Sequence, residues 1–289
     1  MPRFAYVNGR YLPHDDAAVH IEDRGFQFAD GVYEVVTIVG GRFADLEGHL
    51  ARLDRSLREL RMPWPVKPTS LRLIMRELAA RNGVRDGMVY VQVTRGVAPR
   101  DFRFPADTAP TLVLTCRRSR FQTARQLAEG VSVITIPDIR WLRRDIKTVG
   151  LLAQSLGKQK AAEAGAYEAW QVDPDGTVTE GCSSNAWIVT AEGTLVTRPA
   201  SNLILNGITR LSLLRIARDL GIPVEERPFT VAEAHAAREA LMSSAGSFAL
   251  PVTRIDGKPV GEGRPGPLTL RLRAAYLADV GAPDPVGRV

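Results

Sequence analysis

The sequence predicts an α+β protein of two domains, and three observations carry the prediction. Period-two apolar alternation recurs in both halves of the chain, each time followed by a helix with one apolar stripe. Paired turn residues, Asn8-Gly9 and Gly40-Gly41, separate short strands near the start. The strand pattern then stops over RRSRFQTARQLAEG and resumes at VSVITI. That break places a linker near residues 118–124. A small N-terminal α/β domain is expected over 1–119 and a larger C-terminal domain over 120–289.

FAYVNGRYL reads as strand, Asn-Gly turn, strand, and VYEVVTIVGGRFADL repeats the arrangement. Leu46, Leu50, Leu53, Leu57 and Leu60 step by four and three, the stripe of an amphipathic helix that Pro63 and Pro65 close. SLRLIMRELAARNGV is a second helix, ended by Asn82-Gly83. MVYVQVTRG and TLVLTC are strands, and VAPRDFRFPADTAP between them is a long loop with three prolines. Beyond VSVITI, a helix is expected from about Leu151 to Ala164, then strands AYEAWQV, TVTE and NAWIVT. Loop RPASNLILNG leads to helix ITRLSLLRIARDLG. A short helix at VAEAHAAR, strand EALMSS and a closing helix around PLTLRLRAAYLADV complete the chain. Antiparallel sheets are expected in both domains.

The 289 residues are 45% hydrophobic and 24% charged, an ordinary globular balance with enough chain for a substantial core. Net charge is +6, but the arginines are interleaved with acids and form no basic block, which argues against nucleic acid as a partner. Cys116 and Cys182 lie far apart and make no CxxC, in keeping with a reducing cytoplasm. The four histidines have no metal-binding spacing. The first residues lack a signal-peptide apolar region, and no apolar run is long enough to span a bilayer. G-x-S-x-G and GxGxxG are absent, and GLLAQSLGKQ has the wrong spacing for a phosphate loop.

Taken alone, Lys147 in RRDIKTVG is either a solvated surface charge or an amine nucleophile at the edge of a cleft. Glu180 alone is a common strand-end carboxylate. Arg52 lies off the leucine stripe and shares a helix face with His49; a solvated arginine would look the same. Tyr33 alternates with apolar neighbours and reads equally as core or as pocket wall. Thr209 follows Gly207 at the start of a strong helix, where free N–H groups and the helix dipole suit a phosphate.

Read together, these segments resemble the class IV (fold type IV) aminotransferases. The resemblance is carried by EGCSSNAWIVT with LNGITR after it, DRGFQFADGVYE, HLARL, VTRGVAPRDF, DIKT and LMSSAGSFALPVTRIDG. It covers nearly the whole chain and is strongest to the D-amino-acid aminotransferases. It implies pyridoxal 5′-phosphate at the domain interface, with Lys147, on the C-terminal domain, as the catalytic Schiff-base lysine. It implies Glu180 as partner of the ring nitrogen, and Arg52, Ile208, Thr209, Ser244 and Ala245 as phosphate contacts. At Ala245 the family often has a hydroxyl, so only the backbone N–H serves. Trp187 stands where the family usually has Phe or Tyr.

For substrate, the family's D-amino-acid enzymes carry RG-x-x-x-R-x-H. This chain reads Arg95-Gly96-Val97-Ala98-Pro99-Arg100-Asp101-Phe102. The resemblance implies that Arg100 keeps the carboxylate-binding guanidinium, that Phe102 replaces the histidine, and that Tyr33 lines the pocket. The family's loop comes from the neighbouring subunit, so a homodimer is implied. The expected reaction is transamination between a D-amino acid such as D-alanine and 2-oxoglutarate or pyruvate. The more apolar Phe102 extends the expectation to (R)-amines such as 1-phenylethylamine. Alternatives of the same fold are an (R)-selective amine transaminase, a branched-chain L-amino-acid aminotransferase and an aminodeoxychorismate lyase. A scaffold that binds the cofactor without turnover is a further rival.

Overall fold

Short alternating segments need a sheet to bury their apolar side, and the amphipathic helices supply the cover. The structure is a computed structural model and describes residues 3–119 and 121–282. It divides into two units, Met1–Arg120 with Ile146–Leu151, and Phe121–Asp145 with Leu152–Val289.

In the first unit the elements are β1 (Phe4–Val7), β2 (Arg10–Pro13), α1 (Arg24–Phe28), β3 (Gly31–Val39), β4 (Arg42–Phe43), α2 (Leu46–Glu59), α3 (Pro68–Arg81), β5 (Gly87–Thr94) and β6 (Thr111–Arg118). Among the described residues these strands form one antiparallel sheet, ordered β2-β1-β6-β5-β3-β4. Leu50, Leu53 and Leu57 of α2 and Leu71, Met75 and Leu78 of α3 are buried against Val36, Val89, Val91 and Leu114. The leucine stripe is thus the core face, with Leu46 and Leu60 partly buried at its ends. Asn82 fixes the end of α3: its Nδ2 donates to the Leu78 and Phe4 carbonyls, and its Oδ1 accepts from the Phe4 N–H.

The short helix α1 does not stand out in the sequence. Asp23 caps it, accepting from the Gly25 N–H. After it, the segment Ile146–Leu151 takes up the edge of β3 that β4 leaves open. Tyr33 N–H donates to the Lys147 carbonyl (3.0 Å), Val149 N–H donates to the Gly31 carbonyl (3.0 Å), and Ile146 is buried in this unit's core. These backbone bonds, made far from residue 146 in sequence, are why the lysine segment packs with the first unit.

The second unit contains α4 (Ala124–Glu129), β7 (Val131–Pro137), α5 (Leu152–Glu163), β8 (Glu168–Val172), β9 (Val178–Gly181), β10 (Asn185–Val189), β11 (Leu195–Thr197), α6 (Ile208–Asp219), β12 (Val224–Glu226), α7 (Val231–Ala236), β13 (Glu239–Ser244), β14 (Phe248–Ile255), β15 (Lys258–Pro259) and α8 (Pro267–Asp279). The strand order is β12-β11-β10-β13-β14-β7-β8-β9, with β15 beside β14. Contrary to the all-antiparallel expectation, β14 with β7, β7 with β8, and β11 with β12 are parallel. The connection from β7 to β8 contains α5, the long crossover that a parallel pair needs. α4 begins at the end of the stretch read as linker and is opened by a capping box between Thr123 and Gln126.

This sheet is buried on both faces. Ala186, Ile188, Ala240, Met242 and Leu250 enter one core; Trp187, Val189, Leu241 and Ala249 enter another, with Leu213 and Leu214 of α6 and Leu272 and Tyr276 of α8. Strand alternation assigns neighbouring residues to opposite cores.

Candidate active site

In the first unit the site begins with β3, whose alternation turns Tyr33 and Glu34 to opposite faces. The Lys147 Nζ lies 4.4 Å from the centroid of the Tyr33 ring. Tyr33 packs on Tyr90 with ring centroids 5.4 Å apart, and the Tyr90 hydroxyl donates to Gln92 Oε1 at 2.6 Å. Burial and the neighbouring Tyr33 push the Tyr90 hydroxyl up to about 12. On the other face Arg52 forms a fork on Glu34, Nε to Oε1 at 2.7 Å and Nη2 to Oε2 at 2.8 Å. His49 Nδ1 lies 2.7 Å from Glu34 Oε2. Burial favours the neutral acid here, but Arg52 and His49 overcome it and hold the Glu34 carboxyl down at about 2.

The loop after β5 separates its two arginines. Arg95 is buried and grips Asp30 through Nε (2.7 Å) and Nη2 (3.0 Å), with Arg24 Nε on the same carboxylate at 2.8 Å. The Arg95 guanidinium lies 3.6 Å over the Phe104 ring. Gly96 follows with φ +99, and a Cβ there would press into the Ala109 carbonyl oxygen, so the turn excludes other residues. Arg100 is exposed and stacks 4.7 Å over Phe28, while Arg24 stacks at 4.6 Å on the same ring. Among the described residues Arg100 has no acidic partner; Arg103 pairs with Asp101. Phe102 leans on Phe28 at 5.4 Å and is 83% exposed.

In the second unit Glu180 ends β9 and is buried. Its Oε1 accepts from Arg140 Nη1 at 2.5 Å, its Oε2 from Asn185 Nδ2 at 3.0 Å, and both oxygens from the Leu205 N–H at 3.1 and 3.2 Å. Burial pushes the Glu180 carboxyl up; Arg140 and the Leu205 amide pull it down, and burial prevails. The turn from Glu180 to Asn185 is held by Glu168, fully buried, whose Oε2 accepts from the Ser183 hydroxyl (2.7 Å) and N–H (3.3 Å).

Asn185 also donates to the Leu205 carbonyl at 2.8 Å, which brings the start of α6 beside Glu180. Gly207 is the residue before that helix, and no side chain caps it. A Cβ at Gly207 would run into Asn185 Oδ1, so the close approach depends on glycine. Ile208 and Thr209 open the helix and are both buried. β13 pairs with β10 at Ser243 opposite Asn185; Ser244 ends the strand and Ala245 begins the turn that follows. The Ser244 and Ser247 hydroxyls are 2.7 Å apart, and the Ser247 N–H donates to Ser244 Oγ. Trp187 is fully buried, and its Nε1 donates to Ser243 Oγ at 2.9 Å.

Within the first unit, Lys147 and Tyr33 adjoin, Arg52 stands behind Glu34, and Arg100 and Phe102 flank Phe28. Within the second, Glu180, Ile208 and Thr209 are joined through Asn185 and Leu205, with Ser244 and Ala245 on the adjacent strand end. Sequence reading missed Glu34, Asp138 and Arg140. Glu34 had a signal, a lone acid inside the apolar run VYEVV; Asp138 and Arg140 looked like loop charges. Among the described residues no His, Cys, Asp and Glu group is arranged to hold a metal, and no helix is long and apolar enough to cross a membrane.

Residues 31–255 match the model of the class IV amino-transferases. The chain belongs to that family. It is 42% identical over 268 residues to a D-alanine aminotransferase of Bacillus licheniformis, covering 93% of this chain and 94% of that one. It is 41% identical over 276 residues to the D-alanine aminotransferase of Listeria innocua, covering 95% of each. A T.th. branched-chain amino acid aminotransferase, solved with pyridoxamine 5′-phosphate, superposes with a TM-score of 0.89 at 26% identity, over 98% of this chain and 96% of that one.

Proposed function

We propose that the protein is a pyridoxal 5′-phosphate-dependent transaminase that moves the amino group of a D-amino acid, D-alanine above all, to 2-oxoglutarate or pyruvate. The observation that carries the substrate class is the 42% identity to a D-alanine aminotransferase along nearly the whole chain. The donor set fits the cofactor. Glu180 is a buried carboxylate anchored on Oε1 and Oε2 by protein donors. The uncapped start of α6, held close by Gly207, offers N–H groups to a phosphate.

When bound, the cofactor supplies a carbonyl that takes up the amino group and a ring that accepts the electrons of the broken Cα–H bond. Lys147 would hold it; once the substrate's amino group has displaced its Nζ, the freed amine would take the proton from the substrate Cα and, as the ammonium, give it up again as general acid. Glu180 keeps a proton on the ring nitrogen. The amides of Ile208, Thr209 and Ala245, the hydroxyls of Thr209 and Ser244, and Arg52 hold the phosphate. Arg100 grips the substrate carboxylate through two parallel N–H bonds, and Tyr33 and Phe102 line the pocket. Arg100 and Phe102 act in the neighbouring subunit's site, so the working form is a homodimer. The two buried, free cysteines fit a reducing cytoplasm as its compartment.

A donor screen with D-alanine, L-leucine and (R)-1-phenylethylamine against 2-oxoglutarate tests the proposal. D-Alanine is expected to turn over fastest, and Lys147→Ala to abolish turnover and the visible absorbance of the bound cofactor. Faster turnover of L-leucine, or an unchanged spectrum and rate in Lys147→Ala, would overturn it. Phe102, apolar where a histidine anchor is usual, favours one addition: measurable turnover of (R)-1-phenylethylamine. Arg100→Ala is expected to raise the KM for D-alanine about tenfold or more, the contribution of a charge-assisted pair. The amine has no carboxylate, so its KM is expected to stay unchanged.

A further inference from the structure

Behind Glu180 lies a second carboxylate that the proposed chemistry does not use. Asp138 follows β7 and its side chain is fully enclosed. It accepts from Arg140 three times: Nε to Oδ1 at 3.0 Å, Nη2 to Oδ2 at 2.7 Å, and the Arg140 N–H to Oδ1 at 3.1 Å. Thr179 Oγ1 donates to Oδ2 at 2.7 Å, and Arg144 Nη1 lies 3.2 Å from the same oxygen. Arg144 reaches on to Asp173 at 2.9 Å, and Asp173 to Arg198 at 3.3 Å. The charges therefore alternate, Glu180, Arg140, Asp138, Arg144, Asp173, Arg198.

The consequence for Glu180 is geometric. An arginine beside a lone carboxylate closes a fork on both oxygens. Arg140 commits its Nε and Nη2 to Asp138, so only Nη1 reaches Glu180. That keeps Arg140 on Oε1 and leaves Oε2 to neutral donors, Asn185 and the Leu205 N–H. Burial opposes the charge on Asp138, but Arg140 overcomes it and holds the carboxyl below the usual carboxylate range, so the inner acid stays ionised.

We infer that Asp138 is a positioning residue: it turns Arg140 so that Glu180 Oε2 carries only neutral donors and can still accept from a protonated ring nitrogen. The inference rests on the assignment of Glu180 to that nitrogen. Without Asp138, Arg140 is free to close on both Glu180 oxygens and compete with the cofactor's N–H for them.

The test is affinity, measured by calorimetry on the full-length, cofactor-stripped enzyme. Two ligands are compared: pyridoxal 5′-phosphate, and its carbocyclic analogue with carbon in place of the ring nitrogen. Asp138→Asn is expected to weaken pyridoxal phosphate about tenfold while leaving the analogue unchanged. Asp138→Glu is expected to recover part of the loss. Thr179→Val, a milder change that removes one donor to Asp138, is expected to shift affinity in the same sense by about threefold, and serves if Asp138→Asn does not fold. Equal weakening of both ligands, or no change in either, would overturn the inference. Glu180→Gln serves as the reference. If it does not lose the preference for the nitrogen-bearing ligand, the ring-nitrogen assignment itself fails, and this inference with it.

Discussion

Glu34 stays ionised inside the protein because Arg52 closes a fork on it and His49 adds a third contact. Its carboxyl is held at about 2 against an ordinary 4.5. The folded pKa is the lower one, so the stabilisation is complete above the unfolded value of 4.5 and drains away as pH falls toward 2. The shift corresponds to about 3 kcal/mol at neutral pH. Glu34→Gln is expected to lose most of that at pH 7, and its gap from the wild type is expected to narrow by about pH 3. Urea unfolding at both pH values checks this; a gap that does not change with pH would show that Glu34 contributes no titrating charge. At this scale the sequence marked Lys147 and Glu180 as candidates because each sits in a compound pattern. Asp138 and Arg140 stayed hidden because an Asp-x-Arg after a strand is common, and only folding shows that both side chains are enclosed.

The join between β9, β10 and α6 depends on one absent side chain. Gly207 lets the helix start pass so close to Asn185 that the amide can serve Glu180 and the Leu205 carbonyl together. Gly207→Ala is expected to push Asn185 aside and break both bonds, destabilising the protein by about 1–3 kcal/mol. The same change moves the start of α6, the proposed phosphate site, so affinity for pyridoxal phosphate is expected to fall with it. Thermal unfolding of the cofactor-stripped form and a cofactor titration read the two effects; wild-type values in both would show Gly207 to be dispensable. Elements themselves were well marked in the sequence where a stripe exists, as in α2 and α3. Strand direction was not. The strands of the second unit are buried on both faces, so their residues do not show which neighbour runs parallel. The five-residue α1 lacks the length for a stripe and is fixed by the cap at Asp23.

At the scale of the whole molecule, the proposed site draws Lys147 and Arg100 from different copies of the chain, and this can be tested by mixing. The structure binds the two arginines of the loop in different ways. Arg95 is locked on Asp30, whereas Arg100 is exposed beside Phe28 with no acid attached among the described residues. Lys147→Ala removes the amine and leaves Arg100; Arg100→Ala does the reverse. If each site needs one residue from each protomer, a hybrid dimer of the two variants contains one site with both residues and one with neither. Random re-association of equal amounts makes half of the dimers hybrid, so about a quarter of wild-type activity is expected at low D-alanine. Each parent variant alone is expected to remain far below that level, and the active species to sediment at twice the chain mass. If instead Arg100 served the site of its own chain, every site in every hybrid would lack one residue, and mixing would restore nothing. Activity that stays at the parental level in a mixture shown by mass spectrometry to contain hybrids would therefore place Arg100 and Lys147 in one protomer's site.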